Sequence, residues 1–202
     1  MYITRIEQGR GKRYKVYGEE SFLFALYGKE LKQYHIEENT ELEDKVIAYL
    51  LEEIIEKRAK ERALYLLEQK PYPIAQMITK LRENEYPDGV IEQVILFLKN
   101  YHYLDDEEYV KMYVEAYSDK KSKRQLTYDL ASKGISQDIV NTYFLNNTEF
   151  SELESIKRQL ERYGKGKNLE DKAVRQKVFR YLYRKGFSAS LIDATLNSYI
   201  TD

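Results

Sequence analysis

The chain has no cysteine and only two histidines, His35 and His102, in 202 residues. Without thiols there is no disulfide framework, a composition that suits the cytosol. Neither histidine stands at a spacing that brings a second nitrogen or sulfur ligand close, so no metal site and no Ser-His or Cys-His nucleophile is expected. Both are read as surface or half-buried residues at helix ends. No apolar run approaches the roughly 20 residues that span a bilayer, and the first residues, Met-Tyr-Ile-Thr-Arg-Ile-Glu, lack the apolar core and cleavage site of a signal peptide. A soluble, cytoplasmic protein with no membrane partner is expected. The phosphate-binding patterns G-x-x-x-x-G-K-S/T and G-x-G-x-x-G are missing as well. No catalytic residue, cofactor or metal ligand is therefore assigned, and the chain is read as a non-enzyme.

What the sequence has in quantity is charge and repetition. A third of its residues are charged, yet the net charge is only −1. A leucine followed by large apolar residues five and nine positions on occurs three times: Leu81-Tyr86-Val90, Leu130-Ile135-Ile139 and Leu182-Phe187-Leu191. The leucines lie 49 and 52 residues apart. In each copy an amphipathic stretch ends at the leucine, a short turn follows and a second apolar stretch begins, so a small helical unit is repeated. Gly134 and Gly186 stand where a helix needs a left-handed residue to stop, with Ile135 or Phe187 placed to pack back on it. Ser136 and Ser188 suit the N-cap of the next helix. The first copy has Glu85 in place of the glycine and Pro87 behind it, which predicts a turn that differs in detail. A unit of roughly 50 residues is marginal alone, so neighbours must supply missing core.

The first 38 residues are rich in tyrosine, phenylalanine and glycine and show no helical period. Thr4 to Glu7, Arg13 to Tyr17 and Ser21 to Leu26 read as a small antiparallel β meander with turns at Gly9-Arg10-Gly11 and Gly18. Three short strands must bury a face on something, and the following helix is the candidate. Thr40-Glu-Leu-Glu43 reads as a capping box, after which Leu42, Val46, Leu50, Ile54, Ala59, Ala63 and Leu66 recur to about Gln69, as one long helix or two. Pro71 and Pro73 end it. Ile74, Met77, Ile78 and Leu81, then Val90, Val94, Phe97 and Leu98, complete repeat one. Repeat two shows Tyr109, Tyr113 and Tyr117, then Leu126 and Leu130, then Ile139, Tyr143 and Phe144. Repeat three shows Leu153, Ile156 and Leu160, then Val174, Val178 and Leu182, then Leu191, Ala194 and Thr195. The expected fold is mainly α, three tandem three-helix repeats in an elongated array behind the meander, with divisions at 1–38, 39–104, 105–147 and 148–202.

The acidic run from Asp105 to Glu108 reads as an N-cap and first helical turn rather than as paired catalytic carboxylates. Tyr163-Gly-Lys-Gly-Lys-Asn168 reads as a charged inter-helix loop that could also cradle a phosphate. From Lys157 to Lys185 there are 11 Lys and Arg against 3 Asp and Glu. Two readings stay open: a phosphate-binding face, or a solvated face neutralised by acidic neighbours. Its candidates are Arg162, Lys165, Lys167, Lys172, Arg175, Arg180, Arg184 and Lys185. A smaller group, Lys120, Lys121, Lys123 and Arg124, occupies the corresponding connection of repeat two. The chain has 20 tyrosines; most of those that can be placed, including Tyr109, Tyr113 and Tyr143, fall on apolar stripes and read as core, while Tyr163 and Tyr183, beside the basic residues, are the candidates to stack on bases.

Three segments resemble a known family. Ala59-Lys-Glu-Arg-Ala-Leu-Tyr-Leu-Leu67, Tyr103-Leu-Asp-Asp-Glu-Glu-Tyr-Val110 and Leu130-Ala-Ser-Lys-Gly-Ile135 are similar to bacterial RecX, the regulator of the RecA recombinase, over about residues 45 to 200. The strand-rich start is similar to that of the longer RecX proteins of Gram-positive bacteria. Glu85, and Pro71-Tyr72-Pro73 in place of a more usual Arg-Ser start, depart from the pattern. The resemblance implies a monomer that lies along the RecA filament on single- or double-stranded DNA and inhibits ATP hydrolysis and strand exchange in recombination, DNA repair and the SOS response, or promotes filament disassembly. Its basic residues would meet DNA or RecA. The rival readings are a direct nucleic-acid-binding module of helix-turn-helix-like pairs, a peptide adaptor, whose usual spacing of roughly 34 residues does not match, and an unrecognised enzyme.

Overall fold

The computed structural model describes residues 1–19, 21–147 and 150–201, with the side chains of 200 and 201 left aside. The expected start of repeat three at 148 lies outside these residues. The chain forms two compact units, Met1–Asp105 and Asp106–Asp202.

In the first unit, β2 (Arg5–Gln8), β3 (Arg13–Tyr17) and β4 (Phe22–Tyr27) form the antiparallel meander in the order β2-β3-β4. A short helix α1 (Gly28–Gln33) follows. Two further strands, β1 (Tyr2–Ile3) and β5 (Thr40–Glu41), pair antiparallel to each other. This pairing overturns the capping box: Thr40 lies in a strand opposite Ile3, and its hydroxyl donates to the Glu37 carbonyl. The helix starts at Asp44 with Glu43 as its N-cap.

From there α2 (Asp44–Tyr49), a π-helical segment (Leu50–Ile55) and α3 (Glu56–Gln69) run on without a break, roughly 39 Å at 1.5 Å per residue. The π segment has a reason in the sequence. Buried Leu50 and Ile55 are five apart, whereas Ile55, Ala59 and Ala63 follow at steps of four. One wider turn absorbs the extra residue and keeps both halves of the apolar stripe on the same side. Proline at 71 and 73 stops the helix, and α4 (Ile74–Glu83) and α5 (Asp88–Asn100) complete the repeat. Strand residues Ile3, Val16, Phe24 and Leu26 share one core with Leu50, Ala59, Met77, Leu81 and Val94. The meander therefore does find its missing layer on the helices that follow it.

The second unit holds α6 (Asp106–Tyr117), α7 (Lys123–Ser132) and α8 (Gln137–Asn146), then α9 (Glu152–Gly164), α10 (Lys172–Arg184) and α11 (Ala189–Thr201). Each triplet has its own small core. In repeat two it is Val110, Val114, Leu126, Leu130, Ile135 and Val140, with Tyr109, Tyr113 and Tyr143 packed only partly against it. The tyrosine stripe thus flanks the core, and Tyr117 is exposed. In repeat three the core is Ile156, Leu160, Val178, Leu182, Phe187, Ile192 and Leu196. Leu153 and Ala194 are exposed, so α11 buries Ile192, Thr195 and Leu196 instead of the face centred on Leu191 and Ala194.

The leucine pattern is a backbone motif. The carbonyls of Leu81, Leu130 and Leu182 accept from the amides of Tyr86, Ile135 and Phe187 at 3.3, 3.2 and 3.4 Å. The residue between is left-handed in all three, with φ 58° at Glu85, 87° at Gly134 and 91° at Gly186. The first copy's turn, expected to differ, keeps the same backbone. The motif recurs at Leu31-Ile36 and Leu98-Tyr103, with His35 and His102 as the left-handed residues. Both histidines are thus exposed helix-end residues, as expected.

Candidate functional site

Helix α10 organises the basic region. Asp171 caps its N-terminus, its carboxylate accepting from Ala173 N at 2.7 Å and Val174 N at 3.3 Å. Val178 and Leu182 bury one side. At about 100° per residue, Lys177, Arg180 and Arg184 fall together on one flank of the solvent face, and Phe179 and Tyr183 on the other. The rings of Phe179 and Tyr183 are stacked, their centres 6.2 Å apart and their planes 13° from parallel. Beside them Tyr163 and Tyr181 stack at 4.0 Å and 8°, and the Tyr181 hydroxyl donates to Gln159 Oε1 at 2.9 Å.

Two clefts share this helix. One, of about 460 Å³, is lined by Tyr163, Lys177, Phe179, Arg180, Tyr183 and Arg184. The other, of similar size, is lined by Lys121, Gln125, Tyr181, Arg184 and Lys185. Arg184 belongs to both, so Lys121 of repeat two and the basic residues of α10, distant in sequence, meet in one surface. The joint that brings them together is specific. Ser122 caps α7 by accepting from Gln125 N at 3.2 Å while its hydroxyl donates to the Lys185 carbonyl at 3.0 Å. Arg158 pairs with Asp119, Gln159 Nε2 donates to the Asp119 carbonyl at 2.6 Å, and Lys123 N donates to Glu152 Oε1 at 3.2 Å.

The twelve basic candidates separate by surroundings. Arg180, Arg184, Lys185 and Lys121 line the clefts. Among the described residues no ion pair engages Arg180, Arg184, Lys185 or the neighbouring Lys177. Lys121 is committed, its ammonium 2.6 Å from Asp129 and 3.0 Å from the Tyr113 hydroxyl. Burial pulls the Lys121 ammonium down, but these two partners outweigh it and raise its pKa. Burial likewise pushes the Asp129 carboxyl up, and the bonds from Lys121 and Gln125 hold it below its usual value. Lys123 lies over the Phe144 ring at 4.9 Å. Lys167 turns back on Tyr163, its ammonium 3.3 Å from the ring centre and bonded to the Tyr163 carbonyl. The Lys167 amide donates to the Gly164 carbonyl at 2.9 Å, so one lysine and one amide of the loop are already engaged. Arg175 bonds Asn197 of α11, away from the clefts. Lys120, Arg124, Arg162, Lys165 and Lys172 are exposed and line neither cleft.

Sequence reasoning passed over Lys177, although its spacing of three and seven residues to Arg180 and Arg184 marks a single helix face. Phe179 and Tyr181 were missed too. Their signal was the alternation of rings and cations from Lys177 to Lys185.

Comparison with known proteins settles the family. Models of the first, second and third RecX three-helix domains match residues 59–98, 105–142 and 151–196. The regulatory protein RecX of Clostridium perfringens is 30% identical over 190 residues, covering 92% of this chain and 90% of the relative. This chain belongs to the RecX family. The regulatory protein RecX of Clostridium acetobutylicum is 29% identical, covering 99% of this chain and 97% of its own. A crystal structure of regulatory protein RecX superposes with TM-score 0.62 at 25% identity, over 97% of this chain and 98% of the other. RecX from Lactobacillus salivarius shares the fold, with TM-score 0.60 at 20% identity over 73% of this chain and 97% of the other. RecX proteins are regulators by name, and the three tandem RecX domains and N-terminal meander identify this chain as a member of the long Gram-positive type. Among the described residues no helix is long and apolar enough to cross a membrane.

Proposed function

We propose that this chain regulates the RecA recombinase by binding the RecA filament on DNA, inhibiting its ATP hydrolysis and strand exchange during recombination and repair. Its membership of a family of regulators supports the reading. The observation that carries it is the basic face of repeat three: Lys177, Arg180 and Arg184 stand in a row, and among the described residues no acidic side chain pairs with them, where a neutralised helix would pair them. Such a face gains most against a polyanionic partner. No covalent step is required. A protein that binds one filament state tenfold more tightly than another favours it by about 1.4 kcal/mol, and repeated contacts along the filament multiply that preference. The cytoplasm is where such a regulator acts, as a monomer.

The test is the cognate RecA's DNA-dependent ATPase with and without the protein. Inhibition is expected, with its loss in the Lys177→Glu, Arg180→Glu, Arg184→Glu triple variant. ATPase undiminished at saturating wild-type protein would sink the proposal. A direct nucleic-acid-binding module is the second reading, favoured by the aromatic rings beside the cations. Tight, steeply salt-dependent binding to bare DNA without any effect on RecA would support it instead.

A further inference from the structure

We infer that the solvent face of α10 binds single-stranded nucleic acid, an unpaired base stacking on the outer face of Tyr183 and successive phosphates lying along Lys177, Arg180 and Arg184. This rests on the proposal that repeat three meets the RecA–DNA filament, and it names which component of the filament the face touches.

Charge alone does not choose between phosphate and an acidic protein surface, but the rings do. Phe179 and Tyr183 form a parallel two-ring ladder that ends in the open, with Tyr183 50% exposed. An aromatic ring left half in water beside three cations that no described acidic residue pairs is poor packing for a helix that could have presented polar residues there. It is the arrangement that single-strand binders use, a platform for the π-face of any base next to a basic track for the backbone. The cation–ring pairs Lys167–Tyr163 and Lys185–Tyr181 show that the other rings of the face are already covered, which leaves Tyr183 as the open end.

The dimensions agree. From Lys177 to Arg184 is roughly 10 Å along the helix at 1.5 Å per residue, and a stacked strand places a phosphate about every 3.4 Å. Three cations therefore run beside about three phosphates. Because cations and rings flank opposite sides of the exposed face, a strand lying along α10 can put its backbone on one side and turn its bases to the other. In a duplex the bases are paired and stacked inside, and only the cation flank has a partner. The face thus distinguishes single from double strands by stacking, and stacking of one base corresponds to roughly 5- to 150-fold in affinity.

The experiment is fluorescence anisotropy of labelled oligothymidylate of about 12 nucleotides, a length within one basic groove's reach, and of a duplex of equal length, each titrated with the full chain without RecA. The wild type should bind the single strand roughly 5- to 150-fold more tightly than the duplex. Tyr183→Ala should remove that preference and leave duplex binding unchanged, while Tyr183→Phe keeps it. The Lys177→Glu, Arg180→Glu, Arg184→Glu variant should lose both, and Arg180→Gln should lower the salt slope for the single strand by about 0.7 per phosphate contact removed. Because Tyr183 is half exposed, its replacement does not threaten the core, and circular dichroism checks that. Equal affinity for the two probes, or single-strand binding untouched by Tyr183→Ala, overturns the inference. The RecA ATPase separates the two proposals. Inhibition that persists in Tyr183→Ala alongside unchanged strand binding leaves the regulator standing and removes this site; strand binding that depends on Tyr183 with no effect on RecA does the reverse.

Discussion

Replacing Gly186 by alanine probes the joint between repeats two and three at its tightest point. The residue has φ +91°, where an L side chain costs roughly 1–2 kcal/mol. Space adds a second cost. A Cβ there would lie well under 3.0 Å from Ser122 Oγ, with Gln125 Cβ at 3.5 Å. Ser122 is fully buried and tied to the Lys185 carbonyl and the Gln125 amide, so its hydroxyl has nowhere to turn. Overpacking of this kind costs about 1–3 kcal/mol, and the two terms together give roughly 2–5 kcal/mol. The terms separate in a double-mutant cycle. Ser122→Gly keeps most of the N-cap preference, at a few tenths of a kcal/mol by rule of thumb, and removes the obstructing oxygen. In that background Gly186→Ala should cost only the conformational 1–2 kcal/mol, roughly, a coupling of about 1–3 kcal/mol between residues 64 positions apart. Urea unfolding of the full chain followed by circular dichroism measures it. If Gly186→Ala costs the same with and without Ser122, within about 0.5 kcal/mol, the joint is not set by this contact and the reasoning fails.

Glu85→Gln should loosen the β2–β3 turn, because the Glu85 carboxylate accepts from Arg10 N at 2.8 and 2.9 Å and sits 3.6 Å from Arg13 and 3.5 Å from Lys15. A loss of about 1.5–3 kcal/mol and faster hydrogen exchange at the Arg10 amide are expected, and unchanged exchange there would count against the clamp. The Lys121–Asp129 pair predicts a pH effect: the folded Asp129 pKa is depressed below 3.8, so its stabilisation is present above that value and is lost as pH falls through the folded pKa. The stability gap between wild type and Asp129→Asn should close in acid, and a gap independent of pH between 2 and 6, roughly the carboxyl range, would contradict the assignment. Ala63, fully buried on α3, leaves no room for a larger residue. Ala63→Leu should cost about 1–3 kcal/mol by overpacking, read from the urea midpoint.

Much of the fold was legible because the chain repeats a backbone motif that constrains residue types locally. A left-handed residue after a helix asks for glycine, and an apolar residue must follow it, so Leu130-Gly134-Ile135 announces itself. What was lost depended on partners far along the chain or on choices between equal patterns. Thr40 satisfies every local requirement of a capping box, yet it pairs with Ile3, a contact no local window contains. On α11 the neighbours Leu191 and Ile192 each begin a helical period, and only the packed core shows that Ile192 and Leu196 face inward. The helical period from Leu42 to Leu66 left open one long helix or two, because it does not show that a π turn over Leu50–Ile55 carries the helix on without a break. At the candidate site the excess of charge could be counted, but the meeting of Lys121 with Lys185 follows from the Ser122–Lys185 joint. That joint joins residues from different repeats.

The same turn carries different attachments, and this explains the glutamate in the first copy. At Gly186 the missing side chain makes the room in which Ser122 of the neighbouring repeat docks. At Glu85 the side chain itself is the attachment: it reaches the β2–β3 turn, where a Cβ on Gly9 would come within 2.9 Å of the carboxylate. Left-handed strain of roughly 1–2 kcal/mol at a non-glycine residue is offset there by charge-assisted bonds of about 1.5–3 kcal/mol. A glycine at 85 would relieve the first and forfeit the second. The departure from the leucine–glycine pattern is therefore the feature that fastens the N-terminal meander to repeat one, just as adherence to it fastens repeat three to repeat two. Helix turns of this kind act as sockets along the chain, and the residue in the left-handed position decides what each socket accepts.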